Sequence, residues 1–205
     1  NTPFKRDIIS EIAESCIKNN IRLGLYYNSN TWLNEKDDGK ENTIETYHDF
    51  FYGQIKELMT QYGKISLVWF DHFDTLLPKK NFKLNIDYIH KIQPEAVVND
   101  RGINLSVNYN TIGDYLTPER HIPEYVDNNH QVFECCDSIS INSWGYHKEG
   151  KYWSSQELIR RLSKVISLGG NYLLNVSPMP DGKINPEHII RMKDITEEAH
   201  QEIIQ

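Results

Sequence analysis

Cysteine is scarce in this sequence, with three residues in 205, at positions 16, 135 and 136. An odd count excludes a fully paired disulfide framework, the spacing is not that of a zinc site, and two adjacent cysteines bridge only with strain. Cys16, Cys135 and Cys136 therefore read as buried thiols, which leaves the redox compartment open. Long apolar runs are lacking as well. No stretch approaches the roughly 18 residues of a membrane-crossing helix, so no membrane partner is expected. Blocks of positive charge are missing too: no run of Lys and Arg exceeds two residues and the formal net charge is -7. That balance argues against a nucleic-acid backbone or an anionic surface as partner and suits a neutral ligand. No basic start followed by an apolar core marks a signal peptide. The chain opens on Asn1 and not Met, and we expect a processed or excerpted chain.

What is present is an alternation of helical and strand patterns. Ile8, Ile9, Ile12, Ala13, Cys16 and Ile17 form one stripe of an amphipathic helix ending near Asn19 and Asn20, and a strand is expected from Ile21 to Tyr27. A polar loop, residues 28–42 with Trp32 in it, leads to a second helix marked by Tyr47, Phe50, Phe51, Ile55, Leu58, Met59 and Tyr62. The run from Ile65 to Phe70 is a core strand of a parallel sheet, and it ends abruptly in Asp71. A weaker helix over 82–92 and a strand from Ala96 to Asn99 follow, then a long polar loop opened by Asp100, Arg101 and Gly102. Residues 112–116 and 131–136 are short extended segments. Ser154 and Glu157 form a capping box for a helix closed by Gly169 and Gly170, the next strand runs from Tyr172 to Val176, and a helix over about 186–204 finishes the chain.

Strands alternating with helices imply an α/β fold with a parallel sheet, and the length fits a single domain, 1–205. In α/β barrels the chemistry sits where strands stop, because the strand fixes the side chain and the loop shapes the pocket. Asp71 has that placement, the alternative being a turn or N-cap aspartate. The other strand ends carry Tyr26 and Tyr27, Trp69, Asn99 with Arg101, Asp114 and Glu119, and later Trp144 with Tyr146. Aromatic rings beside carboxylates and an arginine can stack on a sugar and bond its hydroxyls. A retaining glycosidase needs two such carboxylates, one to attack the anomeric carbon and one to protonate the leaving oxygen. Five of the eight histidines, His48, His72, His90, His121 and His130, lack the i, i+4 pairing of a metal site on one helix, and no metal or other cofactor is expected. Gly169-Gly170 is a helix stop and not a phosphate loop.

Seven segments in fixed order carry a resemblance. They are Arg22-Leu-Gly-Leu-Tyr-Tyr27 with Trp32, Tyr62 to Asp71, Val97-Val-Asn-Asp-Arg101, Gly113-Asp-Tyr-Leu-Thr-Pro-Glu119, Phe133-Glu-Cys, Asn142-Ser-Trp-Gly-Tyr146, and Leu168 to Asn175 with Pro178, Asp181 and Gly182. Together they resemble the catalytic barrel of the α-L-fucosidases of glycoside hydrolase family twenty-nine, from Asp7 to about residue 190. The resemblance implies a (β/α)8-like TIM barrel and a retaining exo-glycosidase acting on fucosylated glycans. It puts Asp71 at the nucleophile position and Tyr26, Trp69 and Arg101 at pocket positions, with Trp144 as a loop wall. Glu119 is the preferred general acid/base, its proton held by burial, and Glu134 is its rival. A secreted, periplasmic or lysosomal setting is in keeping with the family.

Two departures stand out. His72 and Phe73 follow Asp71 where many relatives have small residues. Relatives also begin with about two βα units ahead of the Asp7 segment, which bring histidines to the sugar hydroxyls. Only about six strands are legible here, against eight in a closed barrel of about 250 residues. We therefore expect an incomplete barrel, and the alternative to the enzyme is a noncatalytic fucose-binding pseudoenzyme or an inactive fragment.

Overall fold

The computed structural model describes residues 3–28, 44–71, 79–101, 113–125 and 132–202. Trp32, His72, Phe73, His130 and most of the loops 28–42, 72–84 and 102–131 lie outside them. The chain divides into two compact units, Asn1–Tyr115 and Leu116–Gln205.

In the first unit α1 (Ile8–Lys18) starts at Asp7, whose carboxylate accepts the Ser10 N–H at 3.0 Å, and ends at Asn19. The strands β1 (Leu23–Asn28), β2 (Ile65–Asp71) and β3 (Val97–Val98) form a parallel sheet in the order β1-β2-β3, with Tyr26 opposite Trp69 and Asn28 opposite Asp71. The helices α2 (Ile44–Gln61) and α3 (Lys79–Ile92) supply the crossovers a parallel sheet requires. Phe51, Ile55, Met59 and Tyr62 recur every three or four residues and are buried with Ile65, Val68, Phe70, Ile89 and Val98 in one core. Each such side chain contributes about 1.5–3 kcal/mol when fully buried. Ile65 and the run Val68 to Phe70 of β2 are buried, as expected of an inner parallel strand, and that anchors Asp71 at its carboxyl end.

The segment after β3 passes so close to it that only glycine fits. A Cβ on Gly113 would stand 2.6 Å from the carbonyl carbon and oxygen of Asn99. Tyr115 then bridges Asn99 in parallel.

In the second unit β4 (Glu134–Ser138) pairs in parallel with β5 (Asn171–Asn175), and the stretch before β4 bridges it at Leu116–Phe133 and Glu119–Cys136. α4 (Ser155–Ser167) has Ser154 as N-cap, accepting the Glu157 N–H at 3.2 Å. The expected capping box is half made, because the Glu157 carboxylate goes to Arg160 at 2.8 and 2.7 Å. The helix stops as expected: Gly169, at φ 75°, donates to Ile166 O at 2.8 Å and Gly170 to Val165 O at 3.0 Å. A Cβ on Gly170 would also strike the Phe133 ring at 2.2 Å. α5 (Pro186–Glu202) closes the described chain. Of the three thiols Cys135 is buried, while Cys16 and Cys136, expected to be buried, are only half-buried. Burial, and then the charge of Asp137, pushes the Cys135 thiol up to about 11, so it is unreactive at neutral pH.

His188 on α5 is 1% exposed with its ring edge-on to Tyr152 at 4.8 Å, and neither ring nitrogen has a hydrogen-bond partner among the described residues. Burial first, and the Arg191 charge second, hold its pKa below the ordinary value against a smaller opposing effect of Glu187. The folded state thus keeps His188 neutral while the unfolded chain binds a proton below about pH 6.5. Its contribution to stability is complete above that pH and is lost as the pH falls through the folded pKa. Urea unfolding from pH 8 to pH 5 should show stability falling more steeply for the wild type than for His188→Leu, by at most about 1.4 kcal/mol per pH unit. Identical slopes would remove His188 as the cause.

Candidate active site

Asp71 owes its position to a side chain that imitates a strand. Asn99 is fully buried just past β3, and its amide pairs with the Phe70 backbone, accepting from Phe70 N at 2.8 Å and donating to Phe70 O at 2.9 Å. The end of β2 is thereby held as firmly as its middle, although β3 itself has run out. Asp114, also at this edge, accepts the Val98 N–H at 2.7 Å and faces His90 at 3.0 Å, so it pins backbone and is not spent on Arg101.

Around Asp71 the first unit gathers three of the expected residues. The Tyr26 hydroxyl donates to Asp71 Oδ2 at 2.7 Å, and Arg101 Nη1 stands 3.5 Å from Oδ1. The Arg101 guanidinium lies over the Trp69 ring, 4.5 Å from its centroid, and Tyr26 stacks on the same ring at 5.6 Å and 22°. Residues two apart on a strand share a face, and cross-strand neighbours share it as well. That rule is why Trp69, Asp71 and Tyr26 meet. The carboxylate is 19% exposed and the guanidinium side chain 12%. A carboxylate so held keeps an open approach while its orientation is fixed by a hydroxyl and a planar cation. Trp69 is itself buried against these two groups, and the ring left exposed beside the carboxylate is that of Tyr26.

The second unit holds the remaining three. Glu119 is exposed, at the carboxyl end of the short stretch that runs parallel to β4. The burial anticipated for it is not found among the described residues. Glu134 is buried, at the amino end of β4, and its carboxylate accepts the Asn171 amide at 2.6 Å. It sits at the end of the strand opposite to the one that carries Trp144, since Asn175, the last residue of β5, donates to Trp144 O at 2.9 Å. Ser177 donates to the same carbonyl at 2.8 Å. Trp144 is 38% exposed, with one face covered by the Arg120 guanidinium at 4.2 Å.

Sequence reading missed Arg120 and the cluster behind it. Arg161 of α4 brings Nε and Nη2 to Asp137 Oδ2 at 2.7 and 2.6 Å, and Tyr172 donates to the same oxygen at 2.9 Å. Burial, reinforced by the Asp137 charge, holds the Tyr172 phenol far above its ordinary range, so it remains a donor. A charged residue on the buried stripe of α4, in phase with Leu158 and Val165, was the available signal.

A family model described as alpha-L-fucosidase matches residues 1–198. Human tissue alpha-L-fucosidase is 32% identical over 192 residues, which cover 88% of this chain and 40% of that protein. The chain thus spans about two-fifths of the length of the curated relatives it matches. Among solved structures, alpha-L-fucosidase isoenzyme 1 from Paenibacillus thiaminolyticus aligns with a TM-score of 0.79 at 27% identity, over 98% of this chain and 53% of its own. An alpha-L-fucosidase from Bacteroides thetaiotaomicron, solved as a trapped covalent intermediate with 2-fluoro-fucosyl fluoride, aligns with a TM-score of 0.78 at 26% identity, over 98% and 52%.

Proposed function

The chain belongs to the α-L-fucosidase family, and on that premise we propose that it is part of a retaining exo-glycosidase that removes terminal α-L-fucose from glycans. Residues 1–205 are read as one catalytic domain on an incomplete (β/α)8-like barrel. An Asp71 oxygen attacks the fucosyl anomeric carbon while the bond from that carbon to the glycan oxygen breaks. Glu119 gives its proton to the departing oxygen. Water then attacks the same carbon and passes a proton to the Glu119 carboxylate, the ester bond to Asp71 breaks, and fucose leaves with its configuration retained. Tyr26 and Arg101 orient Asp71, Trp69 backs them in the fucose pocket, and Trp144 is read as a further sugar contact. No cofactor takes part in either step.

The observation that supports this reading best is the hold on Asp71: a hydroxyl at 2.7 Å and a guanidinium at 3.5 Å fix a partly open carboxylate beside the Trp69 ring. The test is to expose the protein, expressed from its complete reading frame, to 2-fluoro-fucosyl fluoride and map the adduct by peptide mass spectrometry. A single fucosyl adduct on the Asp71 peptide is expected. An adduct on another carboxylate would reassign the nucleophile, and none at all would favour a binding protein without turnover.

A further inference from the structure

Arg120 follows Glu119 directly and has a backbone that its residue type disfavours, with φ at 56°. A side chain other than glycine stays in the left-handed region only where its surroundings over-determine it. Here they do so from every side. Arg120 N donates to Cys136 O at 2.8 Å, and its carbonyl accepts Arg161 Nη2 at 2.7 Å. Its guanidinium reaches three carbonyls of the turn beyond β4: Nη1 donates to Ser140 O at 3.1 Å and Ile141 O at 2.8 Å, and Nη2 to Ser143 O at 3.1 Å. The same group covers the Trp144 ring at 4.2 Å. On the other side of Glu119, Pro118 O accepts Cys136 N at 2.9 Å. Glu119 is therefore set between two rungs of the β4 ladder, and the residue after it is bolted to the turn that carries Trp144.

Resting on the reading of Glu119 as the general acid, we propose that Arg120 is the positioning residue that fixes Glu119 and the Trp144 turn as one piece, with Arg161 as its anchor. Proton transfer needs donor and acceptor within hydrogen-bond reach, and a displacement of about 1 Å costs on the order of 100-fold in rate. An ammonium cannot serve three carbonyls and a ring face at once, because it lacks the planar fork. Arg120→Lys thus keeps the charge and loses the brace. Arg120→Gly loses the brace too, but it relieves the left-handed strain and so preserves the turn should the lysine variant fail to fold.

The test compares two substrates with the protein expressed from its complete reading frame. A fucosylated disaccharide needs its leaving oxygen protonated, whereas 2,4-dinitrophenyl fucoside hardly does. For both Arg120 variants kcat/KM should fall about 30-fold on the disaccharide and less than about 3-fold on the activated aryl fucoside, the loss lying mainly in kcat. A purely structural role would lower both alike. Glu119→Gln is measured alongside and should show the same split, larger. A split for Glu119→Gln without one for either Arg120 variant would overturn the positioning role alone. Absence of a split in Glu119→Gln would overturn both this inference and the assignment of the acid.

Discussion

Asp71→Ala is expected to lower kcat/KM on an aryl fucoside by about 10,000-fold, equivalent to about 5.5 kcal/mol of lost transition-state stabilisation. The loss is that large because the carboxylate is proposed to form a bond and not only to orient the sugar. The pocket around it should survive the change. Trp69, Arg101 and Tyr26 are held by stacking and by their own elements, and Asn99 grips the Phe70 backbone and not the Asp71 side chain. A preserved pocket with its nucleophile removed has a distinctive chemistry. Azide, small enough for the space the carboxylate leaves, should restore part of the turnover of a substrate with a good leaving group. The product should be the fucosyl azide of inverted configuration, since a single displacement replaces two. Proton NMR of the anomeric signal separates the two outcomes. Activity within 10-fold of wild type, or an azide product of retained configuration, would overturn the role of Asp71 as nucleophile.

Most of this site's first half was legible because parallel strands leave strong marks. The apolar run from Ile65 to Phe70 could hardly be anything but an inner strand, and its sudden end in a carboxylate carries over from sequence to structure without change. Period-two alternation put Trp69 beside Asp71, and a parallel register then brought Tyr26 to them. Element limits strayed by one to three residues, as at α3, which begins at Lys79 where the pattern suggested 82. What could not be read is what depends on a side chain leaving its own element. Asn99 closing the end of β2 needs the distance between two strands, and a single sequence holds no distances. Glu134 opens β4 whereas Glu119 lies opposite its middle residue, Cys136, and placing the two so required the strand's first residue to within one place. Arg120 was invisible for a different reason: nothing in residue type signals a left-handed arginine.

The same blindness covered Asp137 and Arg161, whose separation is expected to be the most damaging change in the second unit. Asp137 is fully buried and the Arg161 side chain is 11% exposed. Asp137→Asn would leave a guanidinium in the interior with no full counter-charge, and Arg161→Met would leave a carboxylate there with only the Tyr172 hydroxyl and the Ser138 N–H to stabilise it. Either change should cost about 3–5 kcal/mol in urea unfolding. Removing both charges together, as Asp137→Leu with Arg161→Met, should cost much less than the sum, because no uncompensated charge remains. A loss under about 1 kcal/mol for Asp137→Asn would show that Glu157, 3.8 Å from Arg161, already takes up the freed charge, and one as small for Arg161→Met that water reaches the Asp137 carboxylate. Stability and function should then part company in the double variant. Its fold is largely recovered, yet the Arg120 carbonyl has still lost its donor, so the deficit on the disaccharide substrate should persist. If stability and disaccharide turnover recovered together, Arg161 would be holding up the unit as a whole and not the residue beside Glu119.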